Sequence, residues 1–317
     1  MAGMNGASDT AVEALGEFLR SRRARLSPED AGIVSYGARR VPGLRREELA
    51  QLAGISPTYY ARLEQGQSTN ASESVIDALA RALRLDDDER MHLHDLAAPA
   101  ARTERGRRAR PETARASTVQ LVHAMRDVPA VVMGRRSEVL AWNRLGHALL
   151  AGHHDFDAPA RPADRPNLTR MLFLDPHTRE LYTRWDDEAA RSVASLRLIA
   201  GRYRDDRELA DLVGELTLKS EEFSSFWSKH PVQNCLSGRK QFHHPEVGDL
   251  ELDFQVLHLP DDSGQRILTY TAPRGTPSSE ALLLLASSSA TAAAEASRAA
   301  AASQGARMHA LPDPTER

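Results

Sequence analysis

Apolar residues up to Leu96 recur at intervals of three and four, whereas several later runs are short, apolar and β-prone, so the pattern predicts helices first and a sheet afterwards. Leu15, Phe18 and Leu19 open an amphipathic helix. Leu49, Leu52 and Ala53 stand at i, i+3 and i+4 and give one face of a second, with Glu47 and Glu48 near its positive N-terminal end. Gly54 interrupts that pattern where a left-handed backbone costs least, and Ile55 follows as a plug. Ser56 is a good N-cap and Pro57 suits the first helical position, so a third helix starts there and ends at Gly66. Its Tyr60 and Leu63 point back at the second helix, while Thr58, Tyr59 and Arg62 lie on the other side. Val75, Ile76, Leu79 and Leu83 predict a fourth helix. Asp86-x-x-Glu89, ahead of Met91, Leu93 and Leu96, opens a fifth.

Beyond residue 114 the texture changes. Val119, Leu121, Val122 and Met125 suggest a helix before Pro129, and the runs Ala130 to Met133 and Glu138 to Trp142 read as a hairpin with its turn at Gly134 to Arg136. Helical spacing then returns over Arg144 to Ala151, Asn167 to Phe173, Glu188 to Tyr203, Asp206 to Leu216 and Glu221 to His230. Strand runs follow at Val232 to Leu236, Lys240 to His243, Leu250 to Leu259 and Arg266 to Ala272. A strand pair, then helices, then strands predicts an antiparallel sheet with helices on one face, the architecture of PAS-type sensor domains. The fold class is therefore α+β: an all-α five-helix domain over residues 11–98, a linker over 99–114, and a sheet domain with helical insertions over 115–285. Residues 286–317, rich in Ala and Ser, predict a frayed helix or a disordered tail with no core of its own.

At 317 residues the chain is too long for one small helical domain. The net charge of −3 does not exclude DNA binding, because the basic excess is local: Arg20, Arg22, Arg23, Arg25, Arg39, Arg40, Arg45 and Arg46 cluster with only Glu29 and Asp30 in between. A single cysteine, Cys235, excludes an internal disulfide. No basic-then-apolar leader and no long apolar run is present, so a cytoplasmic protein without a membrane partner is expected.

The arrangement of Ala50, Gly54, Ile55, Tyr60 and Leu63 resembles the helix-turn-helix of the lambda-repressor-like, or Xre, family. That resemblance implies that the later helix of the motif, the third predicted here, lies in the major groove. Carried over position by position, it makes Thr58 and Tyr59 base readers with Arg62 one turn deeper, and places Gln65, Gln67, Ser68 and Thr69 at the backbone. Arg39, Arg40, Arg45 and Arg46 add phosphate contacts. Two departures stand out. The segment from Leu26 to Gly43 is inserted between the first two helices, with Ser27 to Asp30 like the start of a short extra helix, and Arg45 occupies the usual Ser or Thr cap position.

VLAWN from Val139, NLTRMLFLDP from Asn167, LVGELTLKSEEFSSFW from Leu212 and SGRKQFHHPEVGDLELDFQVL from Ser237 resemble the MmyB-like ligand-binding domain. The resemblance implies a transcription regulator with a PAS-like effector domain, and a fatty acid as one ligand known in the family. A pocket in such a domain needs apolar walls and a few polar anchors. The search region is Trp142, Phe173, Trp185, Phe223, Trp227, Phe242 and Phe254 for the walls, with Asn143, His230, Arg239 and His243 for a polar head.

No catalytic motif is present, neither H-E-x-x-H, a phosphate loop nor a nucleophile elbow, and no cofactor is implied. His153-His154 and His243-His244 are adjacent rather than spaced for one helix face, so no metal site is expected. The sequence thus points to a non-enzymatic regulator with three partners: double-stranded operator DNA, a small ligand and a second copy of itself. An enzyme fused to a DNA-binding domain, or a C-terminal domain that makes only protein contacts, are the alternatives.

Overall fold

The computed structural model describes residues 6–33, 43–67, 71–98, 112–260 and 264–309. Five helices come first: α1 (Gly6–Arg25), α2 (Arg46–Ala53), α3 (Pro57–Glu64), α4 (Glu73–Ala82) and α5 (Asp87–Ala97). Next are α6 (Ala116–Ala124), β1 (Ala130–Met133) and β2 (Val139–Trp142). Six helices stand between β2 and the third strand: α7 (Arg144–Ala151), α8 (Leu168–Leu174), α9 (Pro176–Leu181), α10 (Trp185–Arg202), α11 (Arg207–Lys219) and α12 (Glu221–Ser228). The chain continues as β3 (Ser237–His244), β4 (Gly248–His258), β5 (Arg266–Thr271) and α13 (Pro277–His309), the last running through the Ala/Ser-rich stretch.

Two compact units result: Met1–Arg110 with Asp186–Cys235, and Pro111–Trp185 with Leu236–Arg317. In the first, Leu15, Phe18, Leu19, Leu49, Ala50, Tyr60, Leu63, Leu79 and Leu93 form the core, and Leu198 and Val232 from the later segment join it. Val232 to Leu236, expected as a strand, forms no ladder. Val232 is apolar because it packs into this helical core, and Pro231 before it has no N–H to donate. Leu52 also departs from expectation: it is exposed, and α2 buries Leu49, Ala50 and Ala53 instead.

In the second unit the five strands form one antiparallel sheet in the order β2-β1-β5-β4-β3. The central strand β5 is buried from Arg266 to Tyr270, as a strand covered on both sides must be. β4 alternates, with Leu250, Leu252 and Phe254 inside and Glu251 and Gln255 outside. The pattern suggested helices on one face only; in the structure α6 packs on Ala130, Val132 and Ile267, while Val131 and Leu268 of opposite parity are buried too. Half of the sheet is therefore covered on both faces, because α6 folds back across the strands that follow it. Asn143 ties this corner together. Its Oδ1 accepts from the N–H groups of Gly146 (2.7 Å) and Ala130 (3.1 Å), and its Nδ2 donates to the carbonyls of Met125 (2.6 Å) and Val128 (2.7 Å).

Candidate nucleic-acid interface and ligand cleft

The turn between α2 and α3 follows from three residues. Gly54 takes φ 68°, a left-handed conformation that a side chain would oppose, and its N–H caps the end of α2. Ser56 then caps α3, accepting from the Tyr59 N–H at 3.1 Å, with Pro57 in the first helical position. Ile55, half-buried, packs against the same core as Tyr60 and Leu63. At the start of α2 the Arg45 N–H donates to Glu48 Oε2 at 2.6 Å, the bond that the third helical residue contributes to a capping box.

This geometry leaves Thr58 and Arg62 exposed on α3, with Tyr59 half-buried beside them. Gln65 and Gln67 are exposed just after the helix. Arg45 and Arg46 are exposed at the start of α2. Arg39, Arg40, Ser68 and Thr69 lie outside the described residues.

Arginines of the basic run, Arg46 among them, also hold the fold. Glu64, whose side chain is fully buried, receives Arg23 Nη2 at 2.6 Å, Arg46 Nε at 3.0 Å and Arg20 Nε at 3.4 Å. Burial opposes ionisation of Glu64, but Arg23 and Arg46 outweigh it and hold the carboxyl below its ordinary range. Arg22, 4 % exposed, pairs with Glu89 at 2.8 Å and donates to the His230 carbonyl at 2.9 Å. Arg25 donates to the Lys229 carbonyl. The segment from Ser27 to Ile33, expected to begin a helix, is one hydrogen-bonded turn closed by Ile33 N–H to the Pro28 carbonyl at 2.8 Å.

A cleft of about 170 Å³ opens in the same unit. Phe18 of α1 and His92 and Leu96 of α5 form one side; Arg197 and Gly201 of α10, with Arg204 just after it and with Trp227 and His230, form the other. Gly201 is required by a close approach, since a Cβ there would stand 2.5 Å from His92 Cε1. Arg197 is 9 % exposed, stacks 3.9 Å over the Trp227 ring and donates to its carbonyl. Burial pushes Arg197 down to about 10. Arg204 donates to the Leu96 carbonyl at 3.0 Å. Burial first, then the charges of Arg197 and Arg22, push His92 down to about 3, and burial with the same arginines pushes His230 to about 4. His92 is therefore neutral, its Nδ1 buried and without a hydrogen-bond partner among the described residues. The cleft is apolar with a cationic wall.

The eleven residues singled out for a pocket are not one cluster. Trp227 and His230 line the cleft, and Phe223 stacks behind Trp227 with ring centroids 5.6 Å apart. In the other unit Trp142 Nε1 donates to the Phe156 carbonyl at 2.8 Å, and Trp185 Nε1 to that of Leu172 at 2.9 Å, with Phe173 edge-on to Trp185. Phe242 is buried between Tyr182 and Tyr270, and Phe254 is buried under Gly238. Arg239 pairs with Glu251 and Asp253, and His243 with Asp249, on the exposed side of β3. Arg197, Arg204 and His92 were missed by the sequence reading. The one available signal was the Arg197–Gly201 spacing of four on α10, which puts both on one helix face.

Residues 114–285 match the family described as the MmyB-like transcription regulator ligand binding domain, and residues 14–93 match a helix-turn-helix domain. The chain belongs to the MmyB-like regulator family. The MmyB-like match takes in the strands and α10 to α12, so both matched segments contribute to the cleft. No curated protein matches the chain. Among the described residues no helix is long and apolar enough to cross a membrane.

Proposed function

We propose that this chain is a sequence-specific, non-enzymatic transcription regulator in which α3 reads operator DNA and the C-terminal domain senses a small ligand with an apolar body and an acidic head, fatty-acid-like in its chemistry. The observation that carries the reading is the cleft walled by both the helix-turn-helix segment and the MmyB-like segment. Phe18, Leu96 and Trp227 suit the body, and Arg197 and Arg204 suit a carboxylate. Its small volume favours a short acyl or aryl acid, or the head of a longer one. A ligand there touches α1 and α5 directly. It shifts operator affinity to the extent that it binds one arrangement of these helices better than another.

In this reading residues 11–98 bind DNA, 115–285 sense, and the PAS-like character of the second segment is supported by a strand pair, inserted helices and a three-strand return in one antiparallel sheet. A homodimer is part of the proposal, since one helix-turn-helix spans few base pairs and a two-fold operator matches a two-fold protein. Thr58, Tyr59 and Arg62 are the proposed base readers, with Arg45, Arg46, Gln65, Gln67 and Ser68 at the backbone.

The test is native mass spectrometry of the purified full chain, followed by titration with carboxylic acids of graded chain length while tryptophan fluorescence and operator binding are monitored. A dimer, and an acid that changes both signals in the wild type but not in Arg197→Gln, is the expected result. A monomer, or acids that bind equally well to Arg197→Gln, would overturn it.

A further inference from the structure

Two histidines and a carboxylate meet where the end of α7 approaches the junction of α8 with α9. His153 and His154 follow the last turn of α7, where the chain turns at Gly152 rather than continuing as a helix. Adjacent residues on a helix or strand point apart. Here the turn removes that constraint, and the two rings lie 4.3 Å apart. Both face Asp175, whose Oδ2 is 2.6 Å from His153 Nε2 and 3.8 Å from His154 Nε2. The three ligand atoms all lie within 4.8 Å of one another.

We propose that His153, His154 and Asp175 form a binding site for a divalent transition-metal ion of the zinc class. Two imidazole nitrogens and one carboxylate oxygen are a donor set zinc accepts, with bonds of about 2.0–2.2 Å and a tetrahedral site that leaves a position for water. An ion at the centre needs its donors about 3.3 Å apart on that geometry, so the two histidine–carboxylate distances bracket what is required.

Two further observations point to a ligand rather than to a surface ion pair. His154 Nε2 is buried and has no hydrogen-bond partner among the described residues, the condition of a nitrogen whose natural partner is an ion. Asp175 is also held in place for the role. Its Oδ2 accepts from Thr178 Oγ1 at 3.1 Å and its Oδ1 from the His177 N–H at 3.0 Å, which fixes the carboxylate as outer contacts fix metal ligands. The His177 ring stacks on His153 at 4.7 Å and 14°, with Nδ1 3.4 Å from Asp175 Oδ1, so a further donor flanks the site.

The site belongs to the MmyB-like segment and is independent of the cleft. Its test uses the full-length protein freed of metal with a chelator, then titrated with Zn²⁺ by calorimetry and with Co²⁺ by visible absorption. A single ion per chain, a tetrahedral Co²⁺ spectrum and a raised thermal midpoint are expected. In His153→Gln/His154→Gln the affinity falls by more than about 100-fold. His243→Gln, a change at an exposed histidine paired only on the strand surface, leaves it unaltered. Absence of saturable Zn²⁺ binding by folded wild-type protein, or unchanged affinity in the double variant with its far-ultraviolet circular dichroism intact, would overturn the assignment.

Discussion

Arg23 Nη2 lies 2.6 Å from Glu64 Oε1, joining the last turn of α1 to the last turn of α3. Arg46 reaches the other oxygen of the same carboxylate from the start of α2. One buried anion thus ties three helices of the helix-turn-helix unit, and α3 is held at its C-terminal end by charge as well as by Tyr60 and Leu63.

Removing that anion should be costly. Glu64→Gln keeps the shape but leaves Arg23 partly buried without a counter-charge, a loss on the order of 3 kcal/mol, read in urea denaturation followed by circular dichroism. The pH sign follows from the depressed carboxyl: the stabilisation is complete above the ordinary glutamate value, declines as pH falls through it, and is gone below the folded value. A Glu64→Gln protein should therefore lose less stability between pH 5 and 3 than the wild type, about those limits being the range of ordinary carboxylates. Equal acid sensitivity would show that this carboxyl is not the source.

Arg62 stands exposed two residues before Glu64 and makes no demand on the core. Arg62→Ala should leave the denaturation curve unchanged and weaken operator binding by about 1–3 kcal/mol, with relaxed discrimination at one base pair. Fluorescence anisotropy against operator and random duplexes separates the roles. A uniform loss on both sequences would place Arg62 at a phosphate instead.

The helix-turn-helix was legible because each step is local. Gly54, Pro57 and Gly66 act through their own backbone and Ser56 through a hydroxyl three residues from its donor, and the structure places all four as the sequence predicts. The exception on α2, Leu52, shows the limit of a spacing rule: i, i+3, i+4 also admits Leu49, Ala50 and Ala53, and only the partner helix decides which face is buried. The basic run was read as one surface because charge was visible and partners were not; Glu64 and Glu89 lie 41 and 67 positions from the arginines they hold, Arg23 and Arg22. Arg197 stayed hidden for the same reason, and the adjacency of His153 and His154 spoke against their meeting one carboxylate. Their significance depends on Trp227 and Asp175, which the fold brings to them from other elements.

His92 makes a pH prediction of its own. Its neutral ring packs edge-on to Phe18 at 5.1 Å and is held down to about 3, whereas in the unfolded chain it takes up a proton near 6.5. Between those values the unfolded state binds the extra proton, so stability falls as pH drops, by up to about 1.4 kcal/mol per pH unit. His230, pushed to about 4, adds to the slope in the upper part of the same window. His92→Leu should flatten the dependence of the urea midpoint on pH below about 6.5 without abolishing it. An unaltered slope would mean that the ring titrates in the folded protein.

Asn143 is the strongest test of what holds the sheet unit together. Its amide meets two N–H groups and three carbonyls, the third that of Val122 at 3.4 Å, with only 5 % of the residue exposed. Asn143→Ala removes the cap of α7, worth about 1 kcal/mol, and strands the Ala130 N–H at the start of β1, a further penalty on the order of 1–3 kcal/mol. Asn143→Asp separates these effects, because a carboxylate still accepts from Gly146 and Ala130 but no longer donates to Met125 and Val128, and it brings a charge into a buried corner. We therefore expect the aspartate variant to be destabilised as well, and hydrogen exchange of the Ala130 amide to quicken in the alanine variant but less so in the aspartate one. Wild-type stability in Asn143→Asp would show that the two acceptor contacts alone hold the corner, and would leave the contacts to Met125 and Val128 without an energetic role.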